Sequence, residues 1–322
     1  MRLGLDIGGT KTDAVVLDDS GALAHRVRAA TGLGADAVVA TAVTLIDRIA
    51  AEAGLEPAAF DSIGVGIPGQ VDTATGHVWH AVNLGVDELD FGVRVSERIG
   101  VPVSVENDVK AAALGAYHLL PGTRQDRSMA YLNLGTGLAA GLVIDGRLWR
   151  GARGAAGEIG HIPVDPHGVL CPCGQRGCLE TVASGSAIAR QWPSDDPIPV
   201  RSLLAAAEGG DGDAVRIRDS FIENVAAAVR VLVLTLDVDT VTIGGGLSAL
   251  GDWLLESVRA VLGGWAADSP FLASLGLPER VRVVPAGFPA AAVGAALVGA
   301  GTSHPVVSLG EHRDERVVSW LK

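Results

Sequence analysis

Four residues are typed and spaced to hold a metal ion. All three cysteines of the chain, Cys171, Cys173 and Cys178, fall within one short segment, and His161 lies just upstream. An odd, clustered set of thiols is a poor disulfide framework and a good ligand set. The spacing C-x-C-x4-C, with Gly174 and Gly177 inside it, lets the chain wrap tightly. Three thiolates and one imidazole complete a tetrahedral zinc site, and four protein ligands make it closed and structural. The competing readings are a free-thiol or redox loop, or Glu158 as a ligand in place of His161. Carboxylates are uncommon in sites this rich in cysteine, so Glu158 is assigned to substrate.

Other stretches suit phosphate and acid–base chemistry. Asp6-Ile7-Gly8-Gly9-Thr10-Lys11 is a glycine tip between two apolar runs. Glycines let backbone N–H groups approach a phosphate, and Thr10 adds a hydroxyl. A hairpin turn that merely needs glycine fits equally well. A second tip, Gly135-Thr136-Gly137, favours phosphate, because two tips can grip one polyphosphate from both sides. Glu106-Asn107-Asp108 closes a strand and opens a helix, where carboxylates cap helices or serve as general bases at a cleft edge. Gly244-Gly245-Gly246 follows a strand and fits either adenine or a plain turn.

These residues need elements to carry them. Leu3 to Leu17 reads as a hairpin, 36–53 as a helix, Ile63 to Ile67 and Val101 to Val105 as buried strands, and the Ala-rich run to about Leu120 as a helix. A long helix runs through Ile217, Phe221, Val225, Val229, Leu232 and Leu236. The strand Val241–Ile243 follows, and another helix is expected near Ser248. The grammar repeats: Leu5-Asp6-Ile7-Gly8 matches Leu132-Asn133-Leu134-Gly135, and Leu17-Asp18 matches Ile144-Asp145. The repeat implies two similar α/β domains facing a cleft, where ligands bind.

Bulk properties narrow the function. The 322 residues carry a net charge of −12, which argues against a nucleic-acid binder. No apolar run is long enough to span a bilayer, and Met1-Arg2-Leu3-Gly4 reaches charge and glycine too early for a signal peptide. The expected compartment is the cytoplasm, with no membrane partner. The last twenty residues read as a terminal helix or tail.

The chain resembles the ROK family, most closely its glucokinase branch, from about Leu3 to about Gly301. The resemblance rests on the stretches above together with Gly66-Ile67-Pro68-Gly69, Gly157-Glu158-Ile159-Gly160-His161 and Cys178-Leu179-Glu180. It implies an actin-like, hexokinase-like α/β fold of two domains. Residues 1–115 with about 295–322 would form the smaller, and 116–294 the larger, carrying the zinc loop. It further implies ATP-dependent phosphorylation of a hexose, glucose at its 6-hydroxyl first. An N-acetylated hexosamine or fructose is the alternative, and a non-catalytic sugar sensor the alternative of another class.

By resemblance Asp108 is the base. Asn107, Glu158, His161 and Glu180, with Gly69 and Asn83, bind the sugar. Asp6 sits by Mg2+ and the transferred phosphate. Gly8, Gly9, Thr10, Lys11, Gly135, Thr136, Gly137 and Gly244 to Gly246 hold ATP. Family repressors carry a DNA-binding segment ahead of the first tip, for which Leu3 leaves no room. Polyphosphate-using relatives generally lack the zinc loop, and homodimers are common. The sequence departs from the family at Gln70, at Leu138-Ala139-Ala140, and at Lys110, which reads as a phosphate contact or a surface charge.

Overall fold

The computed structural model describes residues 1–119, 127–196 and 198–299, so the expected polar tail lies outside it. Strands β1 (Arg2–Ile7), β2 (Lys11–Leu17) and β3 (Leu23–Ala30) form an antiparallel meander. Helix α1 (Ala35–Glu52) follows and buries Val38, Val39, Ala42, Leu45, Ile46, Ile49 and Ala50, a stripe at the helical period. β4 (Ser62–Ile67) returns parallel to β1 and is buried along its whole length, as a central parallel strand must be. A small sheet of β5 (Gln70–Asp72), β6 (His77–Ala81) and β7 (Val86–Leu89) precedes α2 (Phe91–Ile99). β8 (Ser104–Asn107) completes the first sheet in the order β3-β2-β1-β4-β8. Pairing begins at Ser104 rather than Val101 because Pro102 has no N–H to give a ladder.

Helix α3 (Asp108–Leu119) leads to a second sheet built on the same plan. β9 (Ser128–Leu134), β10 (Leu138–Ile144) and β11 (Arg147–Trp149) form a meander. Helices α4 (Gly185–Gln191), α5 (Pro199–Glu208) and α6 (Gly212–Leu236) follow. β12 (Thr240–Gly244) then pairs parallel to β9. The sheet ends after α7 (Asp252–Asp268), α8 (Pro270–Ser274) and α9 (Leu277–Arg280) with β13 (Val281–Val283), in the order β11-β10-β9-β12-β13. The helix expected near Ser248 is first a 3-10 turn, Gly246–Leu250, broken by Gly251 at φ 57° before α7 starts. The two sheets match strand for strand, so the sequence repeat is a repeat of topology. Ile7 pairs Thr12 across the first tip, whereas Leu134 pairs Leu138 across the second, which is one residue tighter. Asp145 and Gly146 both take positive φ, as a two-residue hairpin turn requires.

Helix α10 (Ala290–Val298) returns to lie on β1, β4 and α3, while α3 touches β9 and β10 on its other side. This contact brings backbone against backbone as well as alanine side chains together. A Cβ on Gly294 would collide with the Ala111 carbonyl, one on Gly115 with that of Ala290, and one on Gly64 with that of Ala295. Gly294→Ala should therefore cost about 3 kcal/mol or more in chemical denaturation, at the upper end for overpacking. Gly264→Ala, on an α7 position with open space, should instead stabilise by up to about 1 kcal/mol. Equal effects at the two sites would contradict the packing argument.

Candidate active site

The start of α3 divides two cavities. Asn107 is its N-cap: its Oδ1 accepts from the N–H groups of Val109 (3.1 Å) and Lys110 (3.2 Å). Its Nδ2 donates to the Gly69 carbonyl at 3.1 Å, which ties the helix to the turn after β4. Asp108 faces a cavity of about 410 Å3 shared with Asp6, Lys11, Asn133, Gly245 and Gly246. Lys110 faces another of about 370 Å3 shared with Gly69, Trp79, Glu106 and Arg150. Two cavities at one helix start, Asp108 lining the first and Lys110 the second, suit a donor in one and an acceptor in the other.

The first cavity is electrostatically tense. Burial, then the charge of Asp108, pushes Asp6 up to about 7. Burial also raises Asp108 above the usual carboxylate range, against the opposing backbone hydrogen bond from Val109 and the charge of Lys110. Such a carboxylate is a stronger base near neutrality. Burial would raise Asp13 too, but hydrogen bonds from Arg28 (2.7 Å) and Arg26 (3.1 Å) outweigh it and hold it low. Two repelling carboxylates on one cavity fit a divalent cation, with Asp6 the residue to hold it.

The glycine stretches separate into two kinds. Gly245, at φ 81°, sits against Leu134 and Asn133 and donates its N–H to the Tyr131 hydroxyl at 3.0 Å. Gly246 has open space around it. Gly244 is buried against Tyr131 and lines neither cavity, so its glycine answers to packing. Gly8, Gly9 and Thr10, and the second tip Gly135, Thr136 and Gly137, stand outside both walls. Asn83 lies against Gly9, at the first tip.

The remaining sugar candidates gather around β10. Gly157 takes φ 95°, its carbonyl accepts from Ala140 N–H at 2.7 Å, and a Cβ there would strike the Ala140 carbonyl. A Cβ on Gly160 would strike that of Leu138. These two contacts weld the segment to the strand and aim Glu158 and His161. Glu158 Oε1 lies 3.8 Å from Lys110 Nζ. Glu180 Oε2 is close to Gly137, and its Oε1 is 3.1 Å from Cys171 Sγ. The carboxylate beside the thiols is thus Glu180, not Glu158.

The ligand atoms of His161, Cys171, Cys173 and Cys178 all lie within 4.8 Å of one another. His161 Nδ1 is 3.8 Å from Cys171 Sγ, and Cys173 Sγ is 3.6 Å from Cys178 Sγ. A tetrahedral zinc with Zn–S near 2.3 Å spaces its ligands about 3.8 Å apart, so the residues fit the ion. The wrap depends on Gly177, at φ 67°, pressed against the Asp165 carbonyl. With Nδ1 turned to the thiols, His161 presents Nε2 away from them.

Sequence reasoning missed several groups. Lys110 is buried, not a surface charge. Glu106 accepts from Arg150 Nε at 2.7 Å and from Asn107 N–H at 2.9 Å, a pairing between distant segments. Asn133 was within reach, because the repeat matches it to Asp6. Trp79 lines the Lys110 cavity, whereas Trp149 is exposed.

The chain is similar to known proteins in sequence and in fold. The ROK family model matches residues 2–299. A glucokinase from Streptomyces coelicolor is 34% identical over 82% of this chain and 88% of its own length. An N-acetylmannosamine kinase from Yersinia pseudotuberculosis is 33% identical over 80% and 87%. The crystal structure of a ROK family glucokinase from Streptomyces griseus in complex with glucose and AMPPNP superposes with a TM-score of 0.75 and 31% identity, covering 92% of this chain and 98% of that one. The fold is therefore the actin-like one that the repeat of topology suggests.

Asp6 binds its proton more tightly in the folded chain than in the unfolded one. Its contribution to stability is full below the ordinary value of 3.8 and is lost as pH rises through about 7. Without divalent cations, Asp6→Asn should gain stability over the parent between about pH 4 and pH 8, read by chemical denaturation. A difference that does not change with pH would contradict the assignment.

Proposed function

The chain belongs to the ROK family and is a sugar kinase, and we propose that it transfers the γ-phosphate of ATP to a hexose, glucose at its 6-hydroxyl, with Asp108 as general base. The observation that carries this reading is the place of Asp108: a carboxylate with raised proton affinity, at the capped start of a helix, in the wall of one cavity and two residues from Lys110 in the wall of another. The Asp108 carboxylate takes the proton of the sugar hydroxyl as its oxygen attacks the γ-phosphorus. The bond to the bridging oxygen breaks, and ADP leaves. Asn107, Glu158, His161 and Glu180, with Gly69, hold the other hydroxyls, so the reacting oxygen arrives aligned. Asn83, packed on Gly9, belongs with the first tip more than with the sugar.

Gly245, Gly246 and Lys11 line the nucleotide side, whereas a phosphate role for the two tips rests on the family resemblance. Asp6 would hold Mg2+, which when bound neutralises charge on the phosphates. Zinc on His161, Cys171, Cys173 and Cys178 would act through sugar positioning. His161 Nε2, then necessarily N–H, donates to a hydroxyl, and Glu180 sits two residues past the ligand Cys178. An N-acetylated hexosamine is the second reading for the acceptor, because the N-acetylmannosamine kinase is as similar to the chain as the glucokinase.

Turnover with ATP across a panel of hexoses and N-acetylhexosamines tests the reading. Asp108→Asn should lower kcat by about 10²- to 10⁴-fold while leaving sugar affinity by calorimetry near that of the parent. Near-normal turnover would sink the base assignment. Metal analysis should find zinc in the purified protein, depleted in Cys178→Ser, and Cys173→Ser should weaken sugar binding. A folded, zinc-free protein that keeps its sugar affinity would break the link between metal and acceptor.

A further inference from the structure

We propose that Lys110 is a further acceptor-binding residue, whose ammonium donates to an oxygen of the sugar, a hydroxyl or an amide carbonyl, beside Glu158. The proposal rests on the sugar-kinase reading above and extends it to a residue that the family pattern does not explain. Lys110 stands in the first turn of α3, two residues past Asp108, and its side chain is only 6% exposed. Both features are costly. A helix N-terminus carries partial positive charge, which repels a cation. A buried ammonium also needs acceptors for its three donors.

The surroundings do not supply them. Among the described residues, Lys110 Nζ pairs with Glu158 Oε1 at 3.8 Å, an ion pair beyond hydrogen-bond length. The buried carboxylate in the same cavity, Glu106, is already engaged by Arg150 at 2.7 Å and by the Asn107 N–H at 2.9 Å. The donors of Lys110 are therefore left for whatever enters the cavity. That cavity includes Gly69, whose carbonyl accepts from Asn107, so it adjoins the proposed sugar ligands. It does not include Asp6, Lys11 or Gly245, which line the nucleotide side. This placement argues against a phosphate contact. An acceptor oxygen completes the ammonium, and a deoxy analogue leaves it unpaired, which a hydrogen-bonding site penalises strongly.

The test is a kinetic cycle with parent, Lys110→Met and Lys110→Gln on the preferred sugar and its monodeoxy analogues, with ATP as donor. Lys110→Met keeps the apolar stem and should raise the sugar KM about tenfold or more, with the ATP KM within about twofold of the parent. It should also lose the discrimination the parent shows against one particular deoxy sugar. Lys110→Gln, which retains a donor, should restore part of that discrimination. An equal loss on every sugar would overturn the proposal in favour of a structural role. A raised ATP KM would overturn it in favour of a phosphate contact. If the parent phosphorylates no hexose or N-acetylhexosamine, the kinase reading fails first and takes this proposal with it.

Discussion

The close approach of α10 to α3 and the first sheet is the constraint on which the site depends. Gly4, Gly64, Gly115 and Gly294 let backbone meet backbone where any Cβ would collide with a carbonyl or amide. Packing of that kind leaves few alternative arrangements, because close-packed interiors have no slack to absorb a shift. Helix α3 is held by α10 on one side and by β9 and β10 on the other, so its first turn has one available position. The Asn107 cap and its bond to the Gly69 carbonyl then set the direction of that turn.

Chemistry follows from placing charged groups there at a cost. Asp6 and Asp108 face one cavity, where burial raises the proton affinity of both and the charge of Asp108 raises that of Asp6 further. Glu106 and Arg150 form a pair in which the carboxylate is almost wholly covered, at 2% exposure. Breaking such a pair leaves an uncompensated buried charge, so neither partner is free to vary alone. Lys110 lies between these groups and Glu158. The site's polarity is thus built before any substrate arrives, which is what phosphoryl transfer asks of a protein.

The cysteine loop brings together the segments proposed to hold the acceptor. Its ligand atoms converge because Gly177 and Gly174, both at positive φ, fold the segment back on itself. Glu180 stands between the thiols and the second glycine tip, so the loop, the tip and His161 share one small volume. A rigid loop at this point fixes three functional segments together.

Much of this was legible in the residues themselves. Their order and spacing determined the family, the internal repeat, the cluster of three cysteines and one histidine, and the boundary at Asn107–Asp108, because turn glycines, caps and clustered thiols are local and act at short separation. Elements followed where periodicity was strong, as in α1, and failed where a local breaker intervened, as at Pro102 and Gly251. What the sequence did not show was pairing at long range. Nothing in the string joins Glu106 to Arg150, Lys110 to Glu158, Glu180 to Cys171 and Gly137, or Tyr131 to Gly245. Those contacts exist only because two sheets and two helices close on one another. Burial, which decides whether Lys110 is a surface charge or a covered one and whether Gly244 serves packing or nucleotide, is a property of that closure and not of any single segment.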